Sequence, residues 1–214
     1  MEFTLLNTLD KDLPTKQKIL ICALDQFCSK GYIETTIRDI ASAVGITSGS
    51  IYGHFSSKEE LLNYMLNDYA EYTKSLFKSL DIEPILQKDP TGEGVSKCIM
   101  LSISILTENV YYGNLVHLIH QEQHRNDLFG GFVLLRLQDT KDFVERVFDV
   151  LKEMKVIRAD AESEYWGVIS YSVLHLIPTC QAISIRRNVP SYSIKDMGTI
   201  FRDLFDSVIN TYKL

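Results

Sequence analysis

Along almost the whole of this 214-residue chain, apolar side chains recur at steps of three and four, and no strict apolar–polar alternation lasts long enough to make a sheet. A helix brings the same face round every 3.6 residues whereas a strand turns over every two, so the periodicity predicts an all-α fold. The final segment shows it best: Met197, Ile200, Phe201, Leu204, Phe205, Val208, Ile209 and Tyr212 form one stripe, and Ser193 with Asp196 has the spacing of a capping box to start it. Before it, a helix from about Ala161, capped by Asp160, carries Trp166, Ile169, Val173 and Ile177. It is kinked or ended at Pro178, and a break follows at Asn188 to Pro190. Leu128 to Met154 reads as one long helix through Phe132, Leu135, Phe143, Val147 and Leu151. Gln87 to Gly94, with Pro90, Gly92 and Gly94, reads as the clearest loop.

With 45% hydrophobic residues the chain buries a real core, which excludes a disordered tail or a small disulfide-stapled scaffold. Cys22, Cys28, Cys98 and Cys180 form no C-x-x-C pair and sit in apolar stretches, the pattern of buried thiols in a reducing compartment. Residues 1–14 lack the basic start and apolar run of a leader, and no apolar stretch reaches the roughly 18 residues of a membrane span, so a cytoplasmic location is expected. The net charge of −6 argues against a general nucleic-acid binder. Between Thr15 and Lys58, however, Lys16, Lys18, Lys30, Arg38 and Lys58 outnumber Asp25, Glu34 and Asp39, leaving a local +2. Any nucleic-acid surface is therefore expected in the N-terminal part.

Three short helices can be placed there with their caps. The first runs from about Thr15 to Lys30, burying Leu20, Ala23, Leu24 and Phe27, with Gly31 as its left-handed cap. Thr36 and Asp39 have capping-box spacing for a second helix that turns Ile37, Ile40, Ala41 and Val44 inward. Gly45 then makes a turn, locked into the core by Ile46, and a third helix runs from Thr47 to about His54. It sends Ile51 and Phe55 into the core and leaves Ser48, Ser50 and Tyr52 outside. Small Ala41 and permissive Gly45 allow two helices to cross closely around a short turn, which is helix-turn-helix geometry.

The ordered set Phe27-x3-Gly31-Tyr32, Thr35-Thr36-Ile37-x2-Ile40-Ala41, Gly45-Ile46 and Ile51-Tyr52-x-His54-Phe55-x2-Lys58-Glu59-x-Leu61 resembles the TetR-type bacterial transcriptional regulators. The resemblance spans about 45 residues; the remainder matches only in architecture. It implies an N-terminal three-helix DNA-binding domain and a C-terminal helical ligand-binding and dimerisation domain, about nine helices in all. The boundaries are an arm at 1–14, the DNA-binding domain at 15–58 and the effector and dimerisation domain at 59–214. It implies a homodimer that binds a palindromic double-stranded operator, mostly as a repressor, and is released by a small-molecule effector. By the same resemblance Thr47, Ser48, Gly49, Ser50 and Tyr52 face DNA, with Tyr52, His54 and Lys58 on phosphate and Thr36 holding the backbone from the second helix; Ser48 and Ser50 are the expected base readers. Many members carry lysine where this chain has Ser48, and losing that contact lowers the salt slope by about 0.9 per site. Gly53 replaces an aromatic or basic residue and costs about 1 kcal/mol against alanine, so the third helix is expected to fray near its end.

The final two helices of each chain then form the dimer interface, for which Trp166, Val173, Phe201, Leu204, Phe205 and Val208 are the candidates; the alternative is that the last helix packs within its own subunit. For a mostly apolar effector with one or two polar handles, the candidates are Met100, Tyr111, His117, Trp166, Ser170 and His175. His117, His120 and His124 fall at i, i+3 and i+7, which on one continuous helix is a weak alternative metal site or metal-dependent enzyme. Glu122 points away from that face and no catalytic motif or cofactor motif appears, so neither enzyme activity nor a cofactor is expected. A further alternative keeps the helical sensor but gives the head another DNA role or a protein partner.

Overall fold

The computed structural model describes residues 12–173 and 194–214. In chain order its helices are α1 (Thr15–Lys30), α2 (Ile37–Val44), α3 (Ser48–Tyr52), α4 (Lys58–Ser79), α5 (Glu83–Lys88), α6 (Gly92–Glu108), α7 (Val110–Glu122), α8 (Asp127–Glu153), α9 (residues 164–173) and α10 (Ile194–Tyr212). The described residues contain no strand; Ile157 and Lys213 form a single isolated bridge. The chain is therefore all-α, as its periodicity predicts. It divides into two compact units, the first built from residues up to 73 with 106–133, the second from 74–105 with residues from 134 on.

In the first unit the local signals act where they stand. α1 keeps its expected limits, and Gly31 ends it at φ 92°, a conformation costly for any side chain, with its N–H on the Phe27 carbonyl. Thr36 and Asp39 form both halves of the capping box, and Gly45 turns the chain in the left-handed region at φ 80°. Ile40, Ala41, Ile51 and Phe55 are buried as expected, whereas Leu20 is only half-buried and Ile19 and Cys22 take the interior positions beside Ala23, Leu24 and Phe27. This core is not closed by α1–α3 alone. Leu61, Leu62, Met65, Leu66 and Tyr69 of α4, Leu115, Leu118 and Ile119 of α7, and Phe129 and Phe132 of α8 complete it. The packing of the three-helix lobe thus runs on past residue 58 through these helices.

The second unit is held mainly by apolar surface. Val144, Val147, Phe148 and Leu151 of α8, Val95 and Cys98 of α6, and Phe201, Phe205 and Val208 of α10 are all buried in it. The loop expected at Gln87 to Gly94 shrinks to residues 89–91, since α5 continues to Lys88 and Gly92 already opens α6. Close approach explains the glycine: a Cβ on Gly92 would strike the Arg202 carbonyl and the Asp206 amide of α10, and the Gly92 N–H donates to Asp206 Oδ1 at 2.7 Å. At the other end of α4, Arg146 donates to the Phe77 and Leu80 carbonyls at 2.5 and 2.9 Å, satisfying acceptors that a helix end leaves open. Asp160 does not cap a helix at Ala161, because residues 161–163 are irregular and α9 starts at 164. Ser193, Pro178, the break at Asn188 to Pro190, His175 and Cys180 lie outside the described residues.

Candidate nucleic-acid interface

α3 is short, and its sequence explains both ends. The Thr47 hydroxyl accepts from the Ser50 N–H at 3.1 Å and lies 2.9 Å from the Ser50 hydroxyl, giving an N-cap. At the other end the helix stops at Tyr52, two residues short of the expected His54, where Gly53 takes over as C-cap. Ile51, fully buried, fastens α3 to the core, and Phe55 does the same just beyond it. The opposite face is left to solvent: Thr47, Gly49, Ser50, Tyr52 and His54 are exposed and Ser48 is half-buried. The Tyr52 side chain is 55% exposed, so its phenol is presented outward instead of packing as a core aromatic. Six of the residues expected to face DNA therefore occupy one short segment.

Lys58 and Thr36 stand elsewhere. The Lys58 ammonium donates to the carbonyls of Tyr32, Ile33 and Thr35 at 2.7, 3.2 and 2.8 Å and lies 4.5 Å from the centre of the Tyr32 ring. Its three donors are thus spent inside the protein, and desolvation lowers its pKa. The expectation that Lys58 touches phosphate is corrected: it holds the turn between α1 and α2. The Thr36 hydroxyl donates to Asp39 Oδ2 at 2.5 Å, and its N–H donates to the same oxygen at 2.8 Å. These two bonds, with Lys30 at 3.0 Å, hold the Asp39 carboxyl well below the usual carboxylate range, so Thr36 serves first as a cap. Sequence reasoning passed over two features here. Arg38 is an exposed cation in the first turn of α2, legible as a helix position next to a cap. Ser57 accepts from the Glu60 N–H at 3.0 Å to start α4, and its S-x-x-E spacing was readable too.

The remaining candidates separate. Tyr111 and His117 belong to the first unit, while Met100, Trp166 and Ser170 belong to the second. Met100 lines an open groove of about 440 Å³ with Glu93, Ser96, Lys97, Gly198, Thr199 and Arg202. In the first unit the Tyr111 hydroxyl and the Asn114 side-chain nitrogen are buried without a hydrogen-bond partner among the described residues. Burial raises the Tyr111 pKa strongly, with Asp68 adding to it. The histidine line fails on geometry: α7 ends at Glu122, so His124 leaves the helix face. His117 Nε2 pairs with Gln121 at 2.7 Å, and no three metal-ligating side chains gather among the described residues. Of the interface candidates, Phe201, Phe205 and Val208 are fully buried within their own unit, and Trp166, Val173 and Leu204 are partly buried against it. Phe201, Phe205 and Val208 are thus covered inside the subunit and have no surface left for a partner, while Leu204 keeps part of its surface. Exposed apolar side chains stand on α9, at Tyr165, Val168 and Ile169, and also on α8, at Leu134 and at Leu135, which the periodicity places inward. Among the described residues no helix is long and apolar enough to cross a membrane.

Residues 19–65, which contain this segment, match the family model of bacterial regulatory proteins, tetR family. The HTH-type transcriptional repressor KstR2 of Mycolicibacterium smegmatis is 40% identical over 57 residues, covering 27% of this chain and 28% of that protein. The chain thus aligns with little more than a quarter of the length of this relative. The likeness of fold extends much further. A TetR-family transcriptional regulator from Syntrophomonas wolfei superposes with a TM-score of 0.67 at 18% identity, over 92% of this chain and 95% of that one. SmeT, in its complex with triclosan, superposes with a TM-score of 0.64 at 17% identity over 94% and 92%. Residues 19–65, with their capped α2–turn–α3 segment, thus match the tetR family of bacterial regulatory proteins, and the helical fold around them is like that of the solved regulators.

Proposed function

We propose that the protein is a ligand-responsive TetR-like transcriptional regulator, acting as a repressor, that binds a palindromic DNA operator as a homodimer. The observation that carries this reading is the exposed polar face of α3, capped at Thr47 and anchored by Ile51, within the segment matching the family model. A helix presented in this way enters the major groove, and two copies must stand about 34–36 Å apart to read successive half-sites. Ser48 and Ser50 reach for base edges, while Tyr52, His54 and Arg38 supply phosphate contacts. The exposed Tyr165, Val168 and Ile169 of α9 supply apolar surface for the twofold partner. An effector that is mostly apolar with a polar handle suits the buried, unpartnered Tyr111 hydroxyl and Asn114 amide. Triclosan bound to SmeT is a ligand of that kind in a protein of the same fold.

Selection of duplexes from a random pool, followed by anisotropy titration at low salt, tests the reading. A palindrome is expected to be enriched, and Ser50→Ala and Tyr52→Phe are each expected to weaken binding about fivefold, the loss of a hydrogen bond worth about 1 kcal/mol. Absence of binding below micromolar protein overturns the reading.

A further inference from the structure

The turn between α1 and α2 is gripped from outside the helix-turn-helix by two oppositely charged side chains. Glu122, the last residue of α7, is 4% exposed, and its Oε1 accepts the backbone N–H of Tyr32 at 3.3 Å. Lys58, the first residue of α4, takes the carbonyls of Tyr32, Ile33 and Thr35. The Tyr32 ring is fixed as well, edge-on to Phe27 and Phe129 at centroid distances of 5.1 and 5.7 Å. One residue is thus held by its amide, its carbonyl and its ring. Gly31 gives the turn its φ of 92°, which a side chain would strain, and a Cβ there would lie in ordinary contact, 3.5 Å from Glu122 Oε1.

A buried carboxylate loses its hydration and is retained where its interactions replace it. Here the interaction is made with a turn 90 residues away in sequence, which leads directly into the capping box of α2. We propose that Glu122 is a positioning residue for DNA binding, clamping this turn together with Lys58 and so fixing α2 and α3 relative to α4 and α7. The inference rests on the reading of α3 as the DNA-contacting helix and extends it: a ligand that shifts α7 against α4 acts on α3 through Tyr32. Because Glu122 is buried, it touches no DNA itself, and its effect on binding is transmitted.

The test uses the full chain and the duplex selected by the wild-type protein. Glu122→Ala is expected to weaken duplex binding tenfold or more under conditions where it is fully folded, and to speed amide exchange at residues 31–36 by at least tenfold without a like change in the centre of α1. Glu122→Gln, which keeps an acceptor oxygen, is expected to stay within threefold of wild type in both. Leu115→Val, a core change on the same helix, is expected to lower the melting temperature and leave both readouts unmoved. The proposal is overturned if Glu122→Ala binds within twofold of wild type, if Glu122→Gln fails as fully as alanine, or if Leu115→Val weakens binding equally. A wild-type protein that enriches no duplex overturns the regulator reading and this extension with it. That outcome is distinct from a wild type that binds and a Glu122→Ala that binds as well.

Discussion

The two units of this chain are stabilised differently. α3 in the first is five residues long, opens on a hydroxyl cap and leaves most of its surface to solvent, whereas α10 in the second runs for 19 residues and buries Phe201, Phe205 and Val208 completely. The first unit has an apolar core of its own but adds many short polar ties to set its turns. The second depends on contiguous apolar surface. A short helix with a wet face has its direction fixed by directional bonds, while a long buried one is fixed by the area it removes from water.

This contrast can be broken by substitution. Phe205→Ala is expected to cost about 3–5 kcal/mol in urea unfolding, independently of protein concentration. A loss that disappears as protein concentration rises would return Phe205 to an interface. Next in size is His120 of the first unit, whose pKa is pushed down from the ordinary imidazole value to about 4 by burial and then by His117. The unfolded chain binds that proton more readily, so the stability is present above about pH 6.5 and is lost as pH falls toward 4, by at most about 3 kcal/mol. Protection of first-unit amides is expected to fall over this range and to flatten in His120→Gln; Trp166, the chain's one tryptophan, reports on the second unit. Thr47→Ala is expected to cost about 1 kcal/mol by removing the α3 cap, read by thermal unfolding and by faster exchange at Ser50. Smallest is Gly53→Ala, where φ is −68° but a Cβ would lie 3.3 Å from the Ser50 carbonyl: the change in stability is expected to stay within about 1 kcal/mol, read by thermal unfolding.

What could be read in the sequence follows the same line. Thr36 with Asp39, Gly45 and Thr47 are signals that act within four residues, and the helices they delimit stand where the spacing puts them. The stripe on α10 was equally plain, but periodicity says only that a face must be covered. It does not say whether α6 and α8 of the same chain or a second subunit covers it, and the covering here comes from within. Lys58 is assigned to phosphate by the family resemblance alone, and no residue close to it in sequence signals another partner. Its partners are carbonyls some 23 to 26 residues back. Glu122 was missed for the same reason, since its bond spans 90 residues. The shortened loop at Gln87 to Gly94 is a third case: Gly94 answers to nearby Asp89, but Gly92 answers to α10, far along the chain.

The shared core of the first unit has a consequence for anyone wishing to exchange the α1–α3 lobe of this protein for another. Leu115, Leu118, Ile119, Phe129 and Phe132 pack with residues of α1 and α2, so the head is not a detachable cassette. A gene fusion cut at residue 58 would graft a foreign lobe onto α7 and α8 surfaces shaped for its predecessor. Chimeras that carry residues 106–133 along with the head inherit a matched interior, and those are the ones expected to fold.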